Sequence, residues 1–546
     1  MIANQIILSW KALWEQHDKT KQLLKFSVKG TSTLTKEKQS AVSKEDQLRP
    51  DKPYYRPVQL IGLILGPLLF ALCLLFFHPE GLSDEGRGVL AGTLWIIVWW
   101  LTEAIPIPAT SLLPLIIFPL TNSMSMQKAT LGYSDKLLFL YMGGFMIALT
   151  MERWRLDKRI ALFIISIIGT RPDRIVLGFM LATAFLSMWI NNVATAMMMV
   201  PIGLAIIFQF TDALKDHKGI DTNPDNFKLG KALMLGIAYA ASIGGLATIT
   251  GSVPNALFVG MINTFYGQSM DFGTWLLFGI PITVVFLLGT WWYLVKIAFP
   301  LKIDDLPVGK EVIQNEKGKL GVMKGEELAV LVVFSLTALA YISRSLLFKG
   351  MNLSDTTIAI TGAVVLFLIP APNHKGQFIL NWETAKNIPW GIILLFGGGL
   401  TIAVGIKETG LDEWIGTQLT VLRGIPLIFI IMAVAALVLF LTEVSSNTAT
   451  STMMIPLMGA LAMSINVHPY TLMVAAAIAA SCAFMLPIAT PPNAFVFGSG
   501  YIKMGEMAKA GFWLNLFGIL VITLFVYFVI PFIWGIDLGV FPESFR

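Results

Sequence analysis

Charged residues are scarce in this chain of 546 residues. They make up 13% of it, against roughly 25% in soluble proteins, whereas hydrophobic residues make up 55%. Apolar runs of about 20 residues recur along the whole length, and each is long enough to cross a bilayer as a helix. The composition excludes a soluble globular protein and predicts an all-α polytopic membrane protein with room for about a dozen spans.

Cysteine and histidine are rare as well. The two cysteines, Cys73 and Cys482, lie in apolar runs, which predicts buried thiols and neither a disulfide nor a metal site. The five histidines all fall in predicted tails or loops. No nucleophile–base pair or metal-ligand spacing accompanies them. These absences argue against an enzyme, and we expect no cofactor.

The excess of positive charge is confined to one end of the chain. Residues 1–56 contain 11 lysines and arginines and 6 acidic residues, a net charge of +5 that equals the net charge of the whole chain. A basic segment beside the first span indicates a cytoplasmic N-terminus and does not indicate nucleic-acid binding. We expect an integral plasma (inner) membrane protein with its N-terminus in the cytoplasm, its C-terminus outside and the lipid bilayer around it.

Two stretches that lie 255 positions apart are near copies of each other. Residues 185–202 read FLSMWINNVATAMMMVPI and residues 440–457 read FLTEVSSNTATSTMMIPL. In both, a polar cluster of Asn, Ser and Thr interrupts a strongly apolar run. The pattern Gly-Gly-x-x-Ile-Ala at 143–148 recurs at 398–403 with the same offset. Such a duplication predicts a secondary transporter that is built from two repeats and binds its substrate near the bilayer midplane.

The predicted organisation follows from apolar runs and loop charge. A basic segment (1–56) and a first transmembrane helix (57–80) precede repeat 1 (81–300), a cytoplasmic linker (301–327) and repeat 2 (328–546). Cationic loops on both sides of 174–210 predict a re-entrant hairpin that enters from inside, and its copy at 424–464 then enters from outside. The repeats are therefore expected to be inverted. Further predicted spans are one at about 105–120, which a Pro-rich turn at 105–108 joins to the span before it, and broken ones at about 231–262 and 470–502.

The predicted site joins the two hairpin tips to the two broken spans. Uncharged hydroxyls and amides, together with the helix N-termini created by each break, suit an anion. Apart from Glu443, which lies just before the second tip and whose counterpart Met188 is apolar, no Asp or Glu lies near the middle of these segments. This argues against a proton-driven cation pump. Packing of helices would explain a single polar residue equally well, but two symmetric clusters facing two Pro-containing breaks favour a ligand site. The candidate residues are Asn191, Asn192, Val193, Thr195, Thr250, Ser252, Pro254, Asn255, Ser446, Asn447, Thr448, Thr490, Pro491, Pro492 and Asn493.

Three motifs resemble the divalent anion–sodium symporter family, which includes di- and tricarboxylate transporters and 2-oxoglutarate/malate translocators. They are TEAIPIP at 102–108, SNTAT at 446–450 and TPPN at 490–493. The resemblance covers about residues 57–540. It implies eleven spans, two opposed re-entrant hairpins and a homodimer in which a transport domain moves, elevator-fashion, against a scaffold domain. It also implies that Ser446, Asn447 and Thr448 contact one substrate carboxylate and that Asn192 contacts the other.

The first tip departs from the family's pattern. Symporters of the family carry Ser-Asn-Thr there, whereas this chain has Asn191-Asn192-Val193. Val193 replaces a hydroxyl with a methyl group, so we expect exchange of dianionic carboxylates (the succinate, malate and 2-oxoglutarate class) without a bound metal. One alternative is sodium-coupled symport of dicarboxylates or sulfate, with sodium near Asn192, Asn447 and Thr448. The alternative from another class is an anion channel.

Overall fold

The protein is described here from a computed structural model that covers residues 55–169, 171–214, 221–301, 308–347, 353–418 and 424–545. Residues 1–54 of the predicted basic segment lie outside these ranges. Within them every regular element is a helix, and the β contact is an isolated bridge between Pro370 and Phe378. The chain is an all-α polytopic membrane protein, as its composition predicts.

The first half of the chain contains twelve α-helices in the described ranges. They are α1 (Pro57–Phe76), α2 (Asp84–Thr102), α3 (Ile107–Thr110), α4 (Pro114–Leu120), α5 (Met126–Ala129), α6 (Lys136–Arg153), α7 (Leu156–Ile168), α8 (Pro172–Ser187), α9 (Asn192–Leu214), α10 (Lys228–Gly244), α11 (Val253–Tyr266) and α12 (Phe272–Trp292). A π-helical segment, Tyr293–Ala298, continues α12.

The second half, within the same ranges, contains the other twelve. They are α13 (Val308–Leu320), α14 (Gly325–Leu347), α15 (Asp355–Leu368), α16 (Trp382–Ala385), α17 (Trp390–Glu408), α18 (Leu411–Gln418), α19 (Leu427–Val444), α20 (Asn447–Ser464), α21 (Pro469–Ala480), α22 (Pro491–Gly498), α23 (Met504–Leu524) and α24 (Ile530–Trp534). A π-helical segment, Phe525–Val529, separates α23 from α24.

Nine helical stretches of the described chain are long and apolar enough to cross a membrane. The shorter apolar stretches Ile107–Leu120, Asp355–Leu368 and Pro469–Ala480 add to them. Exposure differs greatly between spans. The most apolar 18 residues of the stretch Lys228–Ala247 are all buried, whereas only 17% of the most apolar 18 residues of α1 are buried. The segments around α10 therefore form the centre of the molecule, and α1 lies at its edge.

Two predicted segments have a different local structure. The expected single span at about 105–120 consists of two short helices, α3 and α4, separated by a turn at 111–113. Pro114 begins α4, where its missing N–H and fixed φ are tolerated, although the same residue would interrupt a longer helix. The polar linker at 301–327 contains the helix α13.

The two duplicated stretches form helix pairs with the same plan. We call α8–α9 the first hairpin, α19–α20 the second hairpin, α10–α11 the first broken span and α21–α22 the second broken span. The first arm of each hairpin packs against the first helix of the broken span that follows it in sequence, α8 on α10 and α19 on α21. The second arms pack on these same helices, α9 on α10 and α20 on α21, and also on the second helix of the other broken span, α9 on α22 and α20 on α11. These contacts bring both tips and both breaks together.

Candidate substrate and ion site

The first tip is held by hydrogen bonds at the start of α9. Asn191 Oδ1 accepts a hydrogen bond from the Val193 N–H at 2.8 Å, which satisfies one of the free amides of the helix N-terminus. Ser187 Oγ, at the end of α8, lies 2.5 Å from Asn192 Oδ1 and 2.6 Å from the carbonyl oxygen of Ala241. The tip is thereby attached to the middle of the molecule through α10.

The second tip repeats this arrangement with different side chains. Ser446 Oγ caps α20 by accepting a hydrogen bond from the Ala449 N–H at 3.1 Å. Thr442 Oγ1 lies 2.7 Å from Asn447 Oδ1 and 3.1 Å from the carbonyl oxygen of Ala480. Thr442 stands 255 positions after Ser187, the same offset that relates the two asparagines. A hydroxyl near the end of the first arm therefore orients the asparagine at each tip.

Each broken span is closed by a buried asparagine. Asn255 Nδ2 donates to the carbonyl oxygens of Gly245, Leu246 and Thr248 at 3.1, 3.3 and 2.8 Å. Asn493 Nδ2 donates to the carbonyl oxygens of Ala483 and Leu486, both at 3.1 Å. Irregular backbone inside a bilayer requires such partners because lipid supplies none. These asparagines therefore stabilise the two breaks.

The second helix of each broken span begins with its own capping residues. Thr490 caps α22 by accepting a hydrogen bond from the Asn493 N–H at 3.3 Å, and Pro491 and Pro492 occupy the first two helical positions. In the other half, Ser252 precedes α11 and Pro254 is its second residue. Proline is favoured at these positions because its missing N–H needs no partner there. The TPPN motif is thus a helix-start signal as well as a candidate site.

The remaining three candidates also lie at the tips and the first break. The half-buried Thr250 side chain is in the turn before α11. Thr448 is in the first turn of α20, where its carbonyl oxygen accepts a hydrogen bond from Thr452 Oγ1 at 2.8 Å. Thr195 is in the first turn of α9 and is 1% exposed. Every predicted site residue is therefore in one of the four segments that pack together.

Thr195 marks a difference between the two tips. Its counterpart Thr450 has its hydroxyl 2.5 Å from that of Ser445, but the residue 255 positions before Ser445 is Ile190. The Thr195 hydroxyl consequently has no hydrogen-bond partner among the described residues. A buried hydroxyl without a partner is costly, so this atom is available to a ligand at the first tip.

Among the described residues, one side-chain hydrogen bond joins the two breaks. Ser252 Oγ and Ser481 Oγ lie 2.6 Å apart, and both side chains are buried. Ser252 follows Gly251, which is close to Asn192, and Ser481 follows Ala480, which accepts the hydrogen bond from Thr442. The two tips therefore lie on either side of the Ser252–Ser481 contact.

Glu443, which the sequence places just before the second tip, is a functional candidate outside the predicted site. This residue near the end of α19 is 3% exposed. Its carboxylate accepts hydrogen bonds from the N–H groups of Phe484, Met485 and Leu486 at 2.7, 2.9 and 3.2 Å, and from Asn515 Nδ2 at 2.7 Å. The sequence feature that points to Glu443 is an acidic residue within an apolar run, four positions before Asn447. The equivalent residue in the first half, Met188, gives no such signal.

Oxygen atoms converge around the Asn192 amide. The position of Asn192 Oδ1 is 2.5 Å from Ser187 Oγ and 3.2 Å from each of the carbonyl oxygens of Ala241 and Gly251. Rotation of the amide satisfies this cluster, because its nitrogen then donates to the three oxygens. Hydroxyl and carbonyl oxygens are also the kind of ligand that hard cations prefer.

The fold and this site define an integral membrane protein with paired helix breaks at its centre. The family model described as "Sodium:sulfate symporter transmembrane region" matches residues 58–538. The chain therefore belongs to that family, the divalent anion–sodium symporter family, whose members are transporters and not enzymes.

Similar proteins agree with this assignment. The chain is 48% identical over 489 residues to the sodium-dependent dicarboxylate transporter SdcS of Staphylococcus saprophyticus, covering 88% of this chain and 93% of that protein. It is 47% identical over 486 residues to SdcS of Staphylococcus aureus, with the same coverage.

Two solved structures share the fold at low sequence identity. The YdaH transporter of Alcanivorax borkumensis has a TM-score of 0.51 and 14% identity, and covers 87% of this chain and 97% of its own. MtrF of Neisseria gonorrhoeae has a TM-score of 0.51 and 12% identity, and covers 89% and 98%. At such identities the likeness concerns the fold alone.

Proposed function

We propose that this protein carries dicarboxylates across the membrane together with sodium. The relatives that are nearly half identical to it are named sodium-dependent dicarboxylate transporters. The convergence of oxygen atoms around Asn192 is the observation in this chain that carries the proposal. Sodium would be held there by the Asn192 amide oxygen, the Ser187 hydroxyl and the carbonyl groups of Ala241 and Gly251.

The second tip offers a related set of oxygens. Asn447 Oδ1 lies 2.7 Å from Thr442 Oγ1, and the carbonyl oxygen of Ala480 lies 3.1 Å from the same hydroxyl. Unwound backbone carbonyls and helix ends coordinate sodium in other transporters with broken helices. A second sodium ion near Asn447 would make the two halves functionally alike and would offset the charge of a dianion.

The substrate carboxylates would bind at the N-termini of the two hairpin helices. The start of a helix attracts anions because its first N–H groups lack partners and the helix dipole is positive there. Ser446, Asn447 and Thr448 at the start of α20 would contact one carboxylate, and Asn192 at the start of α9 would contact the other. A dicarboxylate is suited to such a pair of tips because it presents one negative group to each.

Exchange of dicarboxylates without sodium is the second candidate, and Val193 is the observation that favours it. The oxygen cluster at the first tip, however, does not include the side chain at position 193. Replacing a hydroxyl there with a methyl group leaves the atoms of Ser187, Asn192, Ala241 and Gly251 unchanged. Together with the names of the relatives, this makes symport the better supported of the two mechanisms.

The test is uptake into proteoliposomes that contain the purified protein and no internal substrate. We expect labelled succinate to accumulate when sodium is outside and to remain near background when potassium replaces sodium. Uptake that ignores sodium but requires internal succinate or malate would establish exchange instead. Unlabelled sulfate in excess should compete weakly with succinate, and strong competition would assign the site to inorganic dianions.

The movement that carries the substrate is part of the same proposal. We infer that the halves are inverted repeats and that the hairpins and broken spans form one transport domain, which moves against a scaffold domain as in an elevator. The packing of α9 on α22 and of α20 on α11 supports a single moving unit. Cysteine pairs that cross-link α20 to α11 should leave uptake intact. Loss of uptake on cross-linking would show that these helices separate during transport.

Orientation and assembly are also proposed. The N-terminus would lie in the cytoplasm and the C-terminus outside, and two copies would form a homodimer in the plasma membrane. Accessibility of terminal tags to protease in sealed cells tests the orientation. Light scattering of the purified protein in detergent tests the assembly, and a mass equal to one chain would exclude the dimer.

A further inference from the structure

A large groove opens between the end of α12 and the start of α23, away from the hairpin tips. Its volume is about 730 Å³, within the roughly 300–1,000 Å³ that is usual for small-molecule sites. Apolar and aromatic side chains form most of its lining, and Glu506 and Lys509 are the charged residues in it. Neither the family nor the named relatives assigns a ligand to this groove.

Two backbone features create the groove. The helix α12 passes into the π-helical segment Tyr293–Ala298 at this level, and the wider turn of a π-helix changes the direction of the side chains that follow. The Phe517 ring packs directly against Gly289, which has no side chain. A Cβ atom on this glycine would lie 2.5 Å from the ring. The ring is one of the side chains that line the groove.

The groove faces the surroundings of the protein. The side chains of Trp292, Ile297 and Trp513, which line it, are 54%, 56% and 55% exposed. They belong to stretches that are long and apolar enough to span a membrane, so the medium around them is lipid. Tryptophan is enriched where acyl chains meet headgroups. The two tryptophans therefore place the mouth of the groove at the level of the lipid headgroups.

Lys509 is the unpaired charge at this mouth. Neighbouring cations have partners: Lys231 pairs with Glu506, Lys296 lies 3.9 Å from Asp173, and Lys503 lies 3.7 Å from Asp225. Because Lys231, which lies outside the lining, pairs with Glu506, the positive charge of Lys509 is not neutralised by the acidic residue of the groove. Among the described residues, no ion pair joins Lys509 to a carboxylate. A ligand with an anionic head and an apolar tail matches this distribution.

We propose that the groove between α12 and α23 binds an anionic phospholipid of the bilayer. One acyl chain lies along Trp513, Phe517 and Ile297, and the phosphate group contacts Lys509. Basic pockets between transmembrane helices bind lipid headgroups in this way. The bound lipid would brace α23, the helix that also carries Asn515, the partner of Glu443. Lipid composition would then affect the stability of the second break.

The test is native mass spectrometry of the full-length protein in detergent with added phosphatidylglycerol or phosphatidylcholine. We expect wild-type protein to retain phosphatidylglycerol more tightly. Lys509→Gln should weaken phosphatidylglycerol binding about fivefold, the effect of one lysine near an anionic surface, and should leave phosphatidylcholine binding unchanged. Ile297→Trp should fill the groove and remove both lipids. Both altered side chains are exposed, so folding should be retained.

Matched controls separate this site from general attraction to lipid. Lys375→Gln removes an exposed charge from a loop, and Leu336→Trp adds bulk to an exposed position on α14; neither should change lipid binding. Equal weakening by Lys375→Gln and Lys509→Gln would overturn the proposal, as would full lipid retention by Ile297→Trp. Displacement of the lipid by soluble glycerol phosphate at equal concentration would also overturn it, because the site would then recognise phosphate alone.

Discussion

The hydroxyl groups of Ser252 and Ser481 form a hydrogen bond 2.6 Å long between two residues that are 229 positions apart. Each serine lies at the break in one broken span, and both are buried. Since the hairpin tips are attached to the residues beside these serines, this contact sets how the first half of the site meets the second. Five predictions follow from this contact and from other features of the molecule.

The first concerns the serine pair itself. Ser252→Ala and Ser481→Ala should each lower the thermal stability and the rate of succinate uptake, because each leaves one buried hydroxyl without its partner. The double variant should be no worse than either single variant, since coupling between directly bonded groups is typically about 0.5–3 kcal/mol. Thermal melting of the four proteins checks this. Strictly additive effects would mean that the hydrogen bond does not couple the breaks. The exposed Ser269→Ala is the control.

The second concerns the asparagines at the tips. Asn192→Ala and Asn447→Ala should each reduce uptake about 10- to 100-fold, because hydrogen bonds to charged groups contribute roughly 1.5–3 kcal/mol. Uptake should be measured at several sodium concentrations, and the elution profile of each variant should remain that of folded protein. Asn387→Ala, on an exposed surface, should transport normally. Normal uptake by both tip variants would show that the substrate does not bind at the starts of these helices.

The third concerns Glu443. Glu443→Gln should destabilise the protein by about 1–3 kcal/mol, because the new amide N–H₂ faces backbone N–H groups that then lack an acceptor. Uptake should fall with the stability, since the residues 484–486 lead directly into the second break. Melting temperature and uptake are measured in parallel, with the exposed Glu413→Gln as control. If Glu443→Gln melts like wild type but fails to transport, the carboxylate acts on sodium or substrate and not on the break.

The fourth concerns close backbone contact behind the second break. A Cβ atom on Gly511 would lie 2.2 Å from the Phe484 carbonyl oxygen, whereas nothing lies within 4 Å of one on Gly505 in the same helix. Gly511→Ala should therefore displace the break and abolish uptake, while Gly505→Ala should be harmless. Gly279→Ala is expected to act in the same way in the first half, where the Ala247 carbonyl oxygen would be 2.4 Å away. Normal uptake by Gly511→Ala would show that the break tolerates movement.

The fifth concerns pH and a buried acid in the first turn of α7, a helix that is not among the candidate spans. Burial raises the pKa of Asp157 to about 6, from 3.8 for an exposed carboxyl group. The folded protein therefore favours the protonated form, and stability is lost as pH rises between these values. The melting temperature of Asp157→Asn should exceed that of wild type by more at pH 8 than at pH 5. A difference that does not change with pH, or an equal change for the exposed Glu80→Gln, would contradict this.

Much of the site could be predicted because its signals are local. A polar cluster within an apolar run, or a proline where a helix starts, affects only the few residues around it. The duplication at an offset of 255 then indicated that such a cluster occurs twice. The span expected at about 105–120 corresponds to the apolar helical stretch Ile107–Leu120, but local reasoning did not predict the turn at 111–113 that divides it into α3 and α4. The expectation of sodium-independent exchange rested on Val193 alone, and the relatives favour the sodium-coupled alternative.

The sequence by itself determined that the chain spans a membrane, that its spans break in two places and that uncharged groups occur at both. Only the tertiary structure decided which groups meet. The contacts of Ser252 with Ser481 and of Glu443 with Asn515 join residues 229 and 72 positions apart. The packing of each hairpin on both broken spans likewise depends on how whole helices fit together. The reason is that hydrophobicity and capping are properties of short segments, whereas a hydrogen bond between distant residues exists only after many side chains have packed.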